Sequence, residues 1–161
     1  MSNIKSFEIR WSDLDPNRHV ANSTYSALMN ERRMTYLNEH GFTQSSFEKY
    51  KIGPVVFFEE FHYLKEILPG EKVYVDMELL ASSTDHKFSK WSHSLFNQNG
   101  KLAVYSEILC SWFDLTERKL TVPPAELIDI LLSLPKADNF EIITEQETRR
   151  KVIPKKELKL E

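Results

Sequence analysis

The 161-residue chain is 41% apolar and 12% aromatic, which suits one folded domain with a buried core and argues against disorder. A formal net charge of −3 gives no overall attraction to nucleic acid or to an acidic membrane surface. The single cysteine, Cys110, excludes an internal disulfide and a cysteine-based zinc cluster, and no apolar run approaches the ~18 residues that span a bilayer.

The first residues, MSNIKSFEIR, lack the apolar block of a secretion signal, so a cytoplasmic address is expected. Residues 4–11 alternate and place Phe7, Ile9 and Trp11 on one face of a half-buried strand. Two aspartates follow, Asp13 and Asp15, and then a polar loop from Pro16 to Ser23. A helix is expected from about Thr24 to His40, capped by Asn22 or Ser23 and ended by Gly41 in the C′ position. Its apolar residues fall on two sides, Tyr25, Leu28, Met29 and Tyr36 on one and Ala27, Met34 and Leu37 on another, as in a helix wrapped by a sheet. Residues 43–52 read as a short helical turn or loop anchored by Phe47 and Tyr50.

From Pro54 the periodicity changes to that of strands. Val55 to Leu64, Lys72 to Leu80, Phe88 to Phe96 and Leu102 to Phe113 form four consecutive antiparallel strands, with a turn at Leu68–Glu71 and a hairpin signal at Asn99-Gly100. A short helix, about Ala125 to Ser133, starts behind Pro123-Pro124. The pattern describes an α+β domain over residues 1–135, with one long helix on a curved antiparallel sheet of about five strands. Residues 136–161 read as a polar, charged extension; from Gln146 onward it holds six Lys and Arg against three Glu, a solvated tail without the aromatic surface of a nucleic-acid binder.

The chemistry concentrates around the start of the long helix. Asp15 alone reads as a turn-starter before Pro16. With His19, Asn22 and a helix start within ten residues, it becomes a carboxylate beside an imidazole and a set of free N–H donors, a kit for attack on an acyl carbonyl. Asp13 reads as structural, Glu31 and Arg33 as an ion pair within the helix, and Glu59 and Glu60 as outward-facing strand residues. His86 and His93 lack the further ligands a metal site needs, and there is no Gly-rich phosphate loop and no Gly-x-Ser-x-Gly elbow. No cofactor and no metal are expected.

The order Asp15, His19-Val20, Asn22 and Tyr25, with Glu31 and Arg33 further on, resembles the acyl-CoA thioesterases of the 4-hydroxybenzoyl-CoA thioesterase type, over about residues 5 to 125. The chain departs from that pattern at Arg18, where Gly is common, and at Ala21, where Asn is common. The resemblance implies the hotdog fold, Asp15 at the catalytic carboxylate position, and substrate contacts at His19, Asn22, Ser23 and Tyr25. It also implies a homodimer or homotetramer that pairs sheets edge to edge, with active sites at the interface.

Two function classes therefore stand: a thioesterase acting on an acyl-CoA or acyl-carrier substrate, and a binding or assembly module that holds an acyl group without hydrolysing it. An acyl hydratase would want its Asp and His in a different arrangement. The acyl pocket is expected beside the helix start, with a wall from the apolar run Val55 to Phe58.

Overall fold

The computed structural model describes residues 3–149. Strand β1, Lys5–Glu8, leads through a single 3₁₀ turn, Trp11–Asp13, to helix α1, Asn22–Glu39, and the short helix α2, Gln44–Tyr50. Four long strands follow: β2, Ile52–Tyr63; β3, Lys72–Ser82; β4, Phe88–Phe96; and β5, Leu102–Asp114. The chain continues through β6, Lys119–Thr121, helix α3, Ala125–Leu132, and β7, Lys136–Ile142. The sheet runs in the order β1-β3-β4-β5-β2, with β6 added to β5 and β7 to β3. One long helix against this antiparallel sheet is the hotdog fold.

Among the described residues the sheet has seven strands rather than about five. β7 lies parallel to β3, with Lys136 opposite Leu79 and Ile142 opposite Ser82, and only Ala137 and Phe140 are even half-buried. A strand so exposed has no in-out alternation to read. Residues 150–161 of the expected tail lie outside the described residues. The first strand is shorter than its alternation suggests. It ends at Glu8, and Trp11 stands 88% exposed at the head of the 3₁₀ turn rather than on the buried face.

Helix α1 buries one continuous stripe: Tyr25, Leu28, Met29, Arg32, Arg33, Tyr36 and Leu37. These are the i, i+3, i+4 steps of a helix lying on a core. The two-sided apolar pattern is not what buries it, because Ala27 is exposed and two arginines occupy the stripe. Around the C-terminal half, Tyr36, Leu37, Phe42 and Phe47 pack with Trp91, Trp112 and Leu127. Around the N-terminal half, Tyr25, Leu28 and Met29 pack with Val73, Val75, Leu95 and Val104. Cys110 is a buried core residue of the first group, and burial pushes its thiol pKa up.

A polar layer separates the two halves. His93 on β4 pairs in register with Ser106 on β5, between the rows that carry Trp91 and Leu95. Arg33 Nη1 lies 3.4 Å from His93 Nε2, and His93 Nδ1 lies 3.4 Å from Ser106 Oγ. Arg can only donate, so Nε2 accepts and the ring proton sits on Nδ1. Ser106 Oγ in turn donates to Met29 Sδ at 2.9 Å. Arg33 also pairs with Glu59 at 3.3 Å, and Ser26 donates to the same carboxylate at 2.8 Å. Arg33 thus bridges to β2 rather than to Glu31, which is exposed, and Glu59 points inward against α1 instead of outward. Glu60 does face out, 3.3 Å from His62.

Candidate active site

The site is built where the 13–21 loop meets the start of α1. Leu14 and Val20 bridge across the loop, and Asp15 N–H donates to the His19 carbonyl at 3.0 Å. Arg18 sits at φ 65, the left-handed region that favours glycine. Holding a side chain there costs roughly 1–2 kcal/mol. Asp13 is the loop's anchor. Its carboxylate accepts from Arg10 N–H at 2.7 Å, and its carbonyl accepts from Ala21 N–H at 2.9 Å and Thr24 Oγ1 at 3.0 Å. Val20 N–H donates to the Ile67 carbonyl at 3.0 Å, which ties the loop to the segment after β2.

The helix begins two residues earlier than its sequence signals suggest. Ala21 is the N-cap, with the extended backbone of that position (φ −62, ψ 145) but no side-chain acceptor, and Asn22 and Ser23 lie inside the first turn rather than capping it. Thr24 N–H donates to the Ala21 carbonyl, whereas among the described residues no acceptor meets the N–H of Asn22 or Ser23. The start of α1 is therefore an uncapped pair of donors at the positive end of a helix dipole.

A cavity of about 410 Å³ opens beside these donors. Asp15, His19, Asn22 and Tyr25 line one side, and Tyr63 to Glu66 line the other. Ser23 is exposed on the first turn and is not part of the lining. Asp15 Oδ1 accepts from Asn17 N–H at 2.8 Å, and Oδ2 lies 3.4 Å from both Asn17 Nδ2 and His19 Nδ1. The carboxylate is thereby oriented while its side chain keeps 24% exposure. Burial, reinforced by Tyr63, raises the pKa of Tyr25 to about 12, so its hydroxyl stays protonated and can donate a hydrogen bond.

The opposite wall was not visible in the sequence. Tyr63, whose ring centroid is 5.6 Å from that of Tyr25, and Lys65 are brought in where β2 ends and its chain folds back onto Ala103. The run Val55 to Phe58 does not reach this cavity. Val56, Phe57 and Phe58 are largely exposed, and the two phenylalanines line a separate cavity of about 530 Å³ with Leu109 and Ile143. The rise of ~3.3 Å per residue along β2 separates the two ends of that strand by several residues' length, which periodicity alone cannot reveal. A third cavity, about 630 Å³, lies on the other side of Asp15, between Trp11, Arg18 and Pro69. Among the described residues no group of His, Cys, Asp and Glu is arranged to hold a metal ion. No helix among them is long and apolar enough to cross a membrane.

The family model of the thioesterase-like superfamily matches residues 9–131. The chain belongs to that superfamily. Solved structures of family-like fold include a DHNA-CoA thioesterase from Staphylococcus aureus, 24% identical, covering 74% of this chain and 78% of that one at TM-score 0.68. A hypothetical protein from Staphylococcus aureus in complex with CoA is 17% identical and covers 94% of this chain and 95% of its own at TM-score 0.73. A 1,4-dihydroxy-2-naphthoyl-CoA thioesterase from Synechocystis is 10% identical and covers 81% and 96% at TM-score 0.72. Among curated proteins none matches. The likeness to the solved structures is one of fold. The family match spans the Asp15 loop, α1 and all four long strands, so the superfamily's domain includes every wall of the cavity just described.

Proposed function

We propose that the protein hydrolyses an acyl-CoA thioester at Asp15. The observation that carries this reading is one cavity that gathers an oriented carboxylate, a protonated tyrosine and Asn22, the first residue of a helix whose first two N–H groups meet no acceptor among the described residues. The thioester carbonyl oxygen takes the N–H groups of Asn22 and Ser23, which favour the charge that develops on it. Asp15 then removes a proton from water as the hydroxyl adds to the carbonyl carbon, and the tetrahedral intermediate expels the CoA thiolate, which picks up that proton. In the alternative order Asp15 itself adds to the carbonyl, thiolate leaves, and water hydrolyses the resulting anhydride. His19, 3.4 Å from Asp15, positions the carboxylate, and Asn22 and Tyr25 contact the substrate.

Activity of the purified chain on a panel of aliphatic and aromatic acyl-CoAs tests this, with release of free thiol as the readout. Label in Asp15 after a single turnover in ¹⁸O-water establishes the anhydride order with water attacking the Asp15 carboxyl carbon, an incorporation that general-base hydrolysis cannot give. One observation favours the non-hydrolytic reading: the Asp15 carboxylate already accepts from Asn17 as in a simple Asx turn. Binding of acyl-CoAs with no thiol released would establish that reading instead.

The same proposal includes a homo-oligomer. Among the described residues β2 pairs only with β5, leaving a 12-residue edge that exposes Val56, Phe57, Phe58 and Tyr63. A long apolar edge is a pairing surface. Light scattering giving a concentration-independent monomer of 18.9 kDa would overturn this part.

A further inference from the structure

We propose that the cavity on the far side of the Asp15 loop holds the nucleotide end of the CoA substrate, its adenine against Trp11 and a phosphate on Arg18. This rests on the thioesterase reading and assigns a place to the nucleotide end of its acyl-CoA substrate.

Trp11 is the starting observation. It is 88% exposed, whereas Trp91 and Trp112 are each 2% exposed. A solvated indole of that size is an unused stacking surface. Its backbone is held in place, since its 3₁₀ turn is closed by the Asp13 carboxylate on Arg10 N–H at 2.7 Å. Arg18 is the second. Its backbone occupies the left-handed region at φ 65, and its guanidinium has no ion pair or hydrogen bond among the described residues. A guanidinium left free where the backbone is strained fits a ligand role, and its planar fork matches phosphate.

The two side chains line one cavity of about 630 Å³, with Pro69 opposite. Asp15 belongs both to this cavity and to the acyl cavity of about 410 Å³. The loop is therefore the partition between them, and a ligand with its thioester at Asp15 enters the second cavity by bending over the loop. The Asp15 carboxylate turns to Asn17 and His19, which leaves the Arg18 charge unneutralised. An aromatic plane, a free cation and a carbonyl-attack site in sequence are the complement of a purine, a phosphate and a thioester.

The test compares an acyl-CoA with the acyl-pantetheine of the same acyl group, which has the same thioester and no nucleotide. Trp11→Ala and Arg18→Gly alter exposed side chains, and the second relaxes the backbone. Each is expected to lower kcat/KM for the acyl-CoA by roughly ten- to a hundredfold, mostly through KM, the range of a lost stacking or phosphate contact. The acyl-pantetheine should be hydrolysed within about twofold of the parent rate constant, a margin small beside the stacking effect. Equal losses on both substrates would show that Trp11 holds the acyl part and overturn the assignment, as would no loss on either. A second readout is independent of turnover. Because the other two tryptophans are buried, 3′,5′-ADP should quench the Trp11 fluorescence saturably, and Trp11→Phe should remove that signal. Quenching without hydrolysis of any thioester would keep the nucleotide site and sink the thioesterase reading. Hydrolysis without quenching, or a Trp11 shielded from acrylamide by a second copy of the chain, would do the reverse.

Discussion

The two ends of helix α1 are finished in opposite ways. At its C-terminus the chain closes on itself: Gly41, at φ 91, donates to the Asn38 carbonyl, and Phe42 donates to that of Leu37. Both bonds belong to the glycine-closed helix end that needs no ligand. Leu37, Phe42, Phe47 and Leu127 seal that end in a dry core. At its N-terminus the cap position is Ala21, which has no side-chain acceptor to offer, and the first two N–H groups meet no partner among the described residues, with Asn22 lining the cavity that Asp15 shares. The fold thus puts its stability at one end of the helix and its unsatisfied donors at the other, with the Arg33–His93–Ser106 layer between.

The largest test of this contrast is Asp15→Asn at the open end. Asn keeps the bond from Asn17 N–H but removes the base, so turnover should fall by roughly 10²–10⁴. The melting temperature should stay close to that of the parent. Hydrolysis at the parent rate by a folded Asp15→Asn protein would refute the catalytic assignment. Leu37→Ala at the closed end should behave in the reverse manner. It should lose about 2–5 kcal/mol in denaturant unfolding, as buried Leu truncations do, while kcat at a temperature where the protein is folded stays near the parent value. A matching loss of kcat would mean that the two ends are not independent.

The layer between them gives a pH test. Burial, with Arg33 and Arg32 adding to it, holds the His93 pKa well below its ordinary range. The folded chain then binds fewer protons than the unfolded one below about pH 6.5. Stability is therefore complete above that pH and falls as pH drops through it, by about 1.4 kcal/mol per unit for one proton. Burial raises the Asp76 pKa, which works in the opposite direction. His93→Gln should flatten the unfolding free energy between pH 6.5 and 5 relative to the parent, within the window set by the ordinary His pKa of about 6.5. An unchanged slope would show that His93 is not the proton acceptor.

Much of the open end was legible because it is local. The spacing of Asp15, His19, Asn22 and Tyr25 over eleven residues fixes a loop and one helical turn, and the structure places all four on one cavity. The Arg18 departure also has a local meaning, as the position whose φ of 65 asks for glycine. What could not be read depends on distant partners. Tyr63 and Lys65 become the second wall only because β2 runs on to Tyr63 before folding back. Arg32 and Arg33 read as a polar interruption because the groups that make their burial tolerable, Glu59 on β2 and the Asn3 carbonyl, are 26 and 29 residues away. The helix start slipped because cap preference pointed to Asn22 or Ser23, while the Asp13 carbonyl, bonded to Ala21 N–H and Thr24 Oγ1, sets the first turn earlier. β7 was missed because a strand exposed on nearly every residue carries no period.

The smallest change tests the central claim most directly. Ala21→Ser gives the cap position the acceptor it lacks, on a backbone already extended as a cap requires. If the open donors exist for the substrate's oxygen, the serine should stabilise the protein by about 0.5–1 kcal/mol, as caps do, while kcat on the best acyl-CoA falls as Ser23 N–H is taken up. Stability and kcat measured on the same preparation decide it. A more stable protein with a lower kcat is the predicted result; a more stable protein with kcat unchanged would contradict a catalytic role for the start of α1.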